Sequence, residues 1–144
     1  MARKQTAKTV LIIEDEINIQ NFLSRVLELE GYTVFQTLDG ASGMEIINND
    51  HVSLVLLDLR LPPGLDGWSV LRQIKRDPGL AAIPVVVLTA IAEAAQRRRT
   101  LRMGAASYLV KPVSARLLIQ TVRDALKRKA KTIRPGGTAS LTTR

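Results

Sequence analysis

Five short strand-like runs alternate along the chain with longer segments of helical periodicity, and this alternation constrains the fold more than any other feature. Most of the runs are continuous stretches of aliphatic and β-branched residues, as expected for strands buried on both faces of a sheet. They span Thr9–Ile13, Thr33–Thr37, Leu54–Leu57, Val85–Leu88 and Ser107–Val110. Strands that alternate with helices in this way predict an α/β fold, in which helices cover both sides of a parallel sheet.

The segments between the runs carry helix signals. In the first segment, apolar residues recur at the spacing of one helix face, and Gly31 stands where that helix would end. Further helices are predicted over about Ala41–Asn49, around Val70–Ile74 and over about Ala92–Met103. Ser114 can cap a fifth helix. A loop rich in proline and glycine separates the third strand from the third helix.

The formal net charge of +8 is concentrated near the two ends of the chain. All 13 acidic residues lie between Glu14 and Asp124, and the 12 Lys and Arg of residues 9–126 nearly balance them. We therefore predict a near-neutral domain over residues 9–128, a basic N-terminal tail over 1–8, and a flexible basic C-terminal tail or linker stub over 129–144. With the charge placed in the tails, composition gives little support to direct DNA binding.

The chain has no cysteine, which excludes disulfides and thiolate metal sites and fits a reducing compartment. No apolar run approaches the roughly 18 residues that a membrane-spanning helix needs. We therefore predict a cytoplasmic protein with no membrane partner.

Polar side chains follow four of the five predicted strands, at the point where each strand ends. In an open parallel sheet, ligands bind outside the carboxyl ends of the strands, so these side chains are expected to meet at one edge. The set comprises Glu14, Asp15 and Glu16 after the first strand, Asp58 after the third, Thr89 after the fourth and Lys111 after the fifth. Each alone is typical of an ordinary turn or helix start. Their coincidence at one edge indicates a site.

The chemistry of this set is that of phosphoryl transfer. Clustered carboxylates repel one another unless a cation joins them, and hard oxygen ligands select Mg²⁺, with Mn²⁺ as an alternative. Asp58 is placed to attack phosphorus as a carboxylate nucleophile, beside a metal held with Asp15. Lys111 and Thr89 can each contact a phosphate oxygen, and the small side chain of Ala90 leaves room for the group.

Four motifs resemble the receiver domain of two-component response regulators, from about Thr9 to Arg128. They are VLIIEDE (10–16), LVLLDLRLPPGLDGW (54–68), IPVVVLTA (83–90) and GAASYLVKP (104–112). The resemblance implies a flavodoxin-like (βα)5 three-layer sandwich, with a five-stranded parallel sheet of order 2-1-3-4-5.

The resemblance also implies roles for individual residues. Asp58 matches the phosphorylated aspartate, which takes its phosphoryl group from a histidine kinase or a histidine phosphotransfer protein. Such a domain catalyses its own phosphorylation and dephosphorylation and is a signalling module rather than an enzyme acting on a separate substrate. The remaining matches are Glu14 and Asp15 as the acidic metal-binding pair, the Arg60 backbone carbonyl as a further metal ligand, Thr89 and Tyr108 as the switch pair, and Lys111 as the phosphate-binding lysine.

In that family the fourth helix, fifth strand and fifth helix form a face that binds a downstream protein or a second copy. Here the fourth helix carries Arg97, Arg98, Arg99 and Arg102. Such a charge run is typical of a solvated helix face, and the alternative is a docking surface for an acidic partner, centred on Arg98 and Arg102.

Two features depart from the family pattern. Asp66-Gly67 comes one residue late, and Pro63-Gly64 carries the insertion, so we expect an altered loop shape and an intact site. Arg60 and Ile91 stand two residues beyond Asp58 and Thr89, where bulky side chains flank the route of hydrolytic water. This pair predicts a long-lived phosphorylated form.

Two other classes of protein remain as alternatives. A haloacid-dehalogenase-type phosphohydrolase also uses a strand-end aspartate, but it needs a second aspartate where this chain has Arg60, and this chain is short for the usual cap domain. A nucleic-acid binder could act through the basic tails, but aromatic residues make up 3% of the chain, which is poor for base stacking.

Overall fold

The computed structural model describes residues 7–133, with the backbone alone for 129–133. Five parallel strands form one sheet in the order β2-β1-β3-β4-β5. The elements are β1 (Thr9–Ile13), α1 (Ile17–Leu29), β2 (Thr33–Thr37), α2 (Gly40–Asn49), β3 (Leu54–Asp58), α3 (Gly67–Arg76), β4 (Val85–Thr89), α4 (Ala94–Arg102), β5 (Ser107–Val110) and α5 (Ala115–Ile133). The predicted (βα)5 sandwich and its strand order are confirmed.

Two apolar clusters lie on opposite faces of the sheet because side chains alternate along each strand. On β1, Leu11 and Ile13 belong to the cluster that also holds buried residues of α2 and α3. Val10 and Ile12 point to the other face and join buried residues of α1 and α5. Helices thus cover both faces, which explains the nearly uninterrupted aliphatic character of the central strands.

The lengthened loop after β3 is closed by the first residues of α3. The Asp66 carboxylate caps α3 by accepting a hydrogen bond from the Ser69 backbone N–H at 2.8 Å. The Gly67 N–H donates to the Leu59 carbonyl at 3.3 Å, so the start of α3 rests against the chain that leaves β3. The Pro63-Gly64 insertion precedes these contacts, with Gly64 in a left-handed conformation at φ 123°.

Gly67 leaves no room for a side chain at this junction. A Cβ there would overlap the backbone of Asp58 and Leu59. We expect Gly67→Ala to lower the free energy of unfolding by about 2–3 kcal/mol, because α3 must move away from β3. Urea unfolding measures this change. Gly79→Ala is the control. A Cβ there would meet the exposed side chain of Asp77, with the carboxylate at 3.3 Å, rather than backbone that cannot move. Equal stability of the two variants would contradict the expectation.

The ends of the predicted domain are only partly described. α5 continues to Ile133, beyond the predicted boundary at 128. Residues 1–6 of the predicted N-terminal tail and 134–144 of the predicted C-terminal tail lie outside the described residues, so both boundaries stay predictions. Within residues 7–133, no helix has the length and apolar character required to cross a bilayer.

Candidate functional site

The carboxyl ends of β1, β3, β4 and β5 converge on one open cleft of about 430 Å³. The parallel register pairs Asp58 with Leu88, one residue before Thr89, and pairs Thr89 with Val110, one residue before Lys111. The predicted meeting of strand-end residues at one edge is therefore confirmed. The cleft is lined by Asp15, Glu16, Asp58, Leu59, Arg60, Trp68, Thr89, Ala90, Ile91, Gln96 and Lys111.

Lys111 joins two buried carboxylates at the floor of the site. Its Nζ lies 2.8 Å from Asp58 Oδ2 and 2.8 Å from Glu14 Oε1. Glu14 is fully buried, and 4% of Asp58 is exposed. The ammonium therefore lies between two buried acidic groups. Without it, the two carboxylates would repel each other with little water to screen their charges.

Burial and the neighbouring charges shift two pKa values in this cluster. Burial raises the pKa of the Glu14 carboxyl above its ordinary value, and its bonds to Lys111 and the Glu16 N–H offset part of that rise. Burial alone would lower the pKa of Lys111. The hydrogen bonds and charges of Asp58 and Glu14 outweigh it, so the pKa of the ammonium is raised and Lys111 stays charged at neutral pH.

The three carboxylates have the geometry of a cation site. Oxygen atoms of Glu14, Asp15 and Asp58 all lie within 4.8 Å of one another. Glu14 Oε2 accepts a hydrogen bond from the Glu16 backbone N–H at 3.0 Å. Its buried Oε1 lies 2.8 Å from Lys111 Nζ. A hard divalent cation fits this donor set, since carboxylate oxygens are the ligands that Mg²⁺ prefers.

Both carboxylate oxygens of Asp58 have partners that hold the side chain in place. Oδ1 accepts from the Arg60 backbone N–H at 2.9 Å, and Oδ2 accepts from Lys111. The first contact sets the Arg60 peptide beside the carboxylate, and the ligand role expected for the Arg60 carbonyl stays a prediction. Thr89 and Ala90 line the same cleft, with Thr89 buried and Ala90 exposed.

A hydrogen-bonded group next to the cleft joins Thr89 to Tyr108. Thr89 Oγ1 accepts from the Ile91 backbone N–H at 3.2 Å, and the Tyr108 hydroxyl donates to the Ile91 carbonyl at 2.7 Å. Tyr108 is buried, with 4% of its surface exposed. Gln96 of α4 contacts both hydroxyl groups. No sequence signal had pointed to Gln96, because it is one polar residue in a polar helix.

One of the four arginines of α4 contacts another element of the fold. The Arg99 guanidinium lies 4.2 Å from the centre of the Trp68 ring, which itself lines the cleft. Arg97, Arg98 and Arg102 are exposed.

Comparison with known proteins identifies the family. Residues 10–123 match the model of the response regulator receiver domain, and the chain belongs to this family. It is 36% identical over 121 residues to the Probable transcriptional regulator ycf27 of Cyanophora paradoxa, covering 84% of this chain and 49% of that protein. It is also 36% identical over 119 residues to the DNA-binding dual master transcriptional regulator RpaA of Synechocystis, covering 83% and 49% respectively.

Solved structures agree with this assignment. A CheY-like response regulator receiver domain protein from Methanospirillum hungatei superposes with a TM-score of 0.80 at 27% identity, covering 88% of this chain and 98% of that one. The receiver domain of the Francisella response regulator 1452 gives a TM-score of 0.78 at 28% identity, covering 84% and 98%. By contrast, the chain spans about half the length of the curated relatives it matches. It contains a receiver domain of two-component signalling.

Proposed function

We propose that Asp58 accepts a phosphoryl group from a histidine kinase or a histidine phosphotransfer protein in a Mg²⁺-dependent reaction. The observation that carries the proposal is the contact of Lys111 with Asp58 in a cleft that also gathers Asp15, Glu14 and Thr89. The cleft thus brings together a carboxylate nucleophile, a cation site, an ammonium and a hydroxyl from the ends of four different strands. Membership of the receiver family supports the same conclusion.

The proposed reaction exchanges one bond to phosphorus for another. A carboxylate oxygen of Asp58 attacks the phosphorus of a phosphohistidine and forms the O–P bond of an acyl phosphate. The N–P bond breaks, and the leaving imidazole nitrogen keeps the electron pair and takes up a proton. Water later attacks the acyl phosphate, which releases inorganic phosphate and restores the carboxylate.

Residues of this chain would stabilise the charge that develops on the phosphoryl oxygens. Asp15, Asp58 and the Arg60 carbonyl would hold Mg²⁺ with support from Glu14, and the metal supplies positive charge to the transferring group. Lys111 would contact one phosphoryl oxygen as a point charge. The Thr89 hydroxyl and the space beside Ala90 would accommodate the others.

Phosphorylation would then act through Thr89 and Tyr108 on the surface formed by α4, β5 and α5. A local gain of charge can shift the populations of two conformations of such a surface. That surface would bind a downstream protein or a second copy, with Arg98 and Arg102 available to an acidic partner. The two curated relatives are named as transcriptional regulators, and this chain matches about half of each. We propose that the residues matched here do not contact DNA directly.

Mass spectrometry after incubation with acetyl phosphate and Mg²⁺ tests the proposal. The expected result is the gain of one phosphoryl group. Chelating the metal before the incubation should prevent this gain, and hydroxylamine added afterwards should reverse it by cleaving the acyl phosphate. A phosphohydrolase, as the alternative class, would instead turn over acetyl phosphate or a phosphomonoester without retaining the group. Absence of any mass gain at saturating acetyl phosphate and Mg²⁺ would contradict the proposal.

The residues flanking the cleft lead to a prediction about the lifetime of the phosphorylated form. Arg60 and Ile91 both line the cleft, and their bulk would restrict the approach of water to an acyl phosphate on Asp58. We expect the double variant Arg60→Ala/Ile91→Ala to lose its phosphoryl group roughly tenfold faster, which corresponds to about 1.4 kcal/mol in the barrier. Release of inorganic phosphate from purified phosphoprotein measures the rate, with Arg76→Ala outside the cleft as the control. Loss within seconds from the unaltered protein would refute a long-lived form.

A further inference from the structure

α4 has little apolar packing to hold it in place. Within the described range Ala94–Arg102, Thr100 is the one buried residue, and most of the others are exposed. The position of such a helix depends on its polar contacts more than on burial of apolar surface, so the loss of a few contacts can move it at little cost. Two of those contacts join α4 to other elements, Gln96 with Tyr108 and Arg99 with Trp68.

Gln96 bridges the two hydroxyl groups of the proposed switch. Its side-chain Nε2 lies 2.6 Å from the Tyr108 hydroxyl and 3.4 Å from Thr89 Oγ1. The direction of these bonds follows from the network. The Ile91 carbonyl can only accept, so it takes the phenol hydrogen of Tyr108, and the second partner of that hydroxyl must be a donor. The Gln96 amide supplies that donor.

The main chain of Gln96 is tied to the buried residue of its own helix. The Thr100 hydroxyl donates to the Gln96 carbonyl at 2.7 Å, and Thr100 is fully buried. The Gln96 backbone is therefore bonded, one helical turn away, to the residue that α4 buries in the protein interior. Among the described residues, the Gln96 side chain forms its hydrogen bonds with Thr89 and Tyr108 and none with Asp58 or the other carboxylates of the proposed metal site, although it lines the same cleft.

We infer that Gln96 is the positioning residue that couples the Thr89 hydroxyl to Tyr108 and to α4; the inference rests on the function proposed above. The bond to Tyr108 is short, whereas the contact with Thr89 is long and lies at the edge of hydrogen-bond geometry. A turn of the Thr89 hydroxyl toward a phosphoryl group on Asp58 breaks the weaker contact. Gln96 then reorients, and Tyr108 loses or changes one of its two hydrogen bonds.

The chain is suited to a direct measurement because it contains two tyrosines, Tyr32 and Tyr108. Labelling with 3-fluorotyrosine gives one fluorine resonance for each. Beryllofluoride with Mg²⁺ serves as the probe, since it mimics a phosphoryl group on a carboxylate. In the unaltered protein we expect the Tyr108 resonance to shift on addition of the probe. The Tyr32 resonance should change little, because Tyr32 packs against the apolar cluster on the opposite face of the sheet from Tyr108.

Replacing the amide separates coupling from binding. In Gln96→Leu we expect the beryllofluoride affinity to change less than the Tyr108 shift does, by at most about threefold, because Gln96 makes no hydrogen bond to the carboxylates of the proposed metal site. The probe-induced shift of Tyr108 should fall by at least about threefold. Gln96→Glu should also reduce the shift, because a carboxylate can only accept and could bond to Tyr108 only by drawing its hydrogen away from the Ile91 carbonyl. Gln73→Leu, which removes an exposed helical glutamine, is the matched control and should retain the full shift.

The outcomes distinguish the inference from the function on which it rests. A full Tyr108 shift in both Gln96 variants would overturn the inference and leave the proposed function intact. A normal shift in Gln96→Glu alone would also overturn it, since the coupling would then not need the amide of Gln96 as a hydrogen-bond donor. Failure of the unaltered protein to bind beryllofluoride with Mg²⁺ would overturn both. Equal melting temperatures of the variants and the unaltered protein show that the comparison is made between folded forms.

Discussion

Asp58→Asn is expected to abolish the gain of a phosphoryl group from acetyl phosphate and Mg²⁺. An amide oxygen carries no negative charge and does not attack phosphorus, so the rate should fall by a factor on the order of 10³ or more. The fold should survive, because the Asn side chain can still accept the hydrogen bond that the Arg60 backbone N–H gives to Asp58 Oδ1. Intact-mass spectrometry over a time course measures the loss.

A matched control separates the loss of the nucleophile from a general effect of removing an acidic group. Asp50→Asn changes an exposed aspartate just beyond α2 and should leave phosphorylation unchanged. Peptide mapping of the phosphorylated protein should locate the group in the segment containing Asp58. Undiminished phosphorylation of Asp58→Asn would contradict the assignment of this residue as the acceptor.

Lys111→Met is expected to affect both phosphorylation and stability. Methionine keeps an unbranched side chain but removes the charge that contacts Asp58 and Glu14 at 2.8 Å. Loss of one preorganised contact to the transferring group should slow phosphorylation by about 10²–10³-fold. In Mg²⁺-free buffer at neutral pH, the free energy of unfolding should fall by roughly 2–4 kcal/mol, because two buried carboxylates lose their counter-charge.

The stability loss should depend on pH in a defined direction. Burial already raises the pKa of Glu14 above its ordinary value of 4.5, and loss of the ammonium raises that pKa further. The folded variant then binds a proton more tightly than the unfolded chain does, so its stability rises as the pH falls from neutral towards 4.5. Urea unfolding at several pH values measures the difference between the variant and the unaltered protein, which should shrink over this range.

Two controls test the electrostatic explanation. Lys111→Arg keeps the charge and should keep most of the stability, while its larger planar head group should impair phosphorylation. Added Mg²⁺ should stabilise Lys111→Met more than the unaltered protein, because the cation replaces the missing positive charge. A Lys111→Met protein with unchanged stability at every pH would show that the ammonium does not balance these carboxylates.

The elements of the fold could be predicted because their signals are local. Runs such as Leu54–Leu57 and Val85–Leu88 are too short and too rich in β-branched or aliphatic residues to favour helices. The boundaries were less certain, and β3 and β4 each extend one residue further, to Asp58 and Thr89. α4 begins at Ala94 rather than near Ala92. The chain before it forms a different contact, in which the Ile91 carbonyl accepts a hydrogen bond from the Tyr108 hydroxyl.

The site could be predicted in its membership but not in its contacts. Strand-end position placed Glu14, Asp15, Asp58, Thr89 and Lys111 at one edge of the sheet without any tertiary information. The bridging position of Lys111 between two carboxylates depends on the distance between the ends of β1, β3 and β5. The sequence does not indicate a role for Gln96, because nothing in a polar helix distinguishes a residue that faces two hydroxyl groups from one that faces water.

The sequence by itself determined the order and type of the elements, the parallel sheet, and which residues stand at its carboxyl edge, because periodicity and strand-end position are properties of the chain over a few residues. Only the tertiary structure decided which partner each polar side chain has: Arg99 over the Trp68 ring, Gln96 between Thr89 and Tyr108, and Gly67 against the end of β3. These pairings join residues from different elements. Their partners are selected by packing of helices on the sheet, where differences of about an ångström separate a hydrogen bond from no contact.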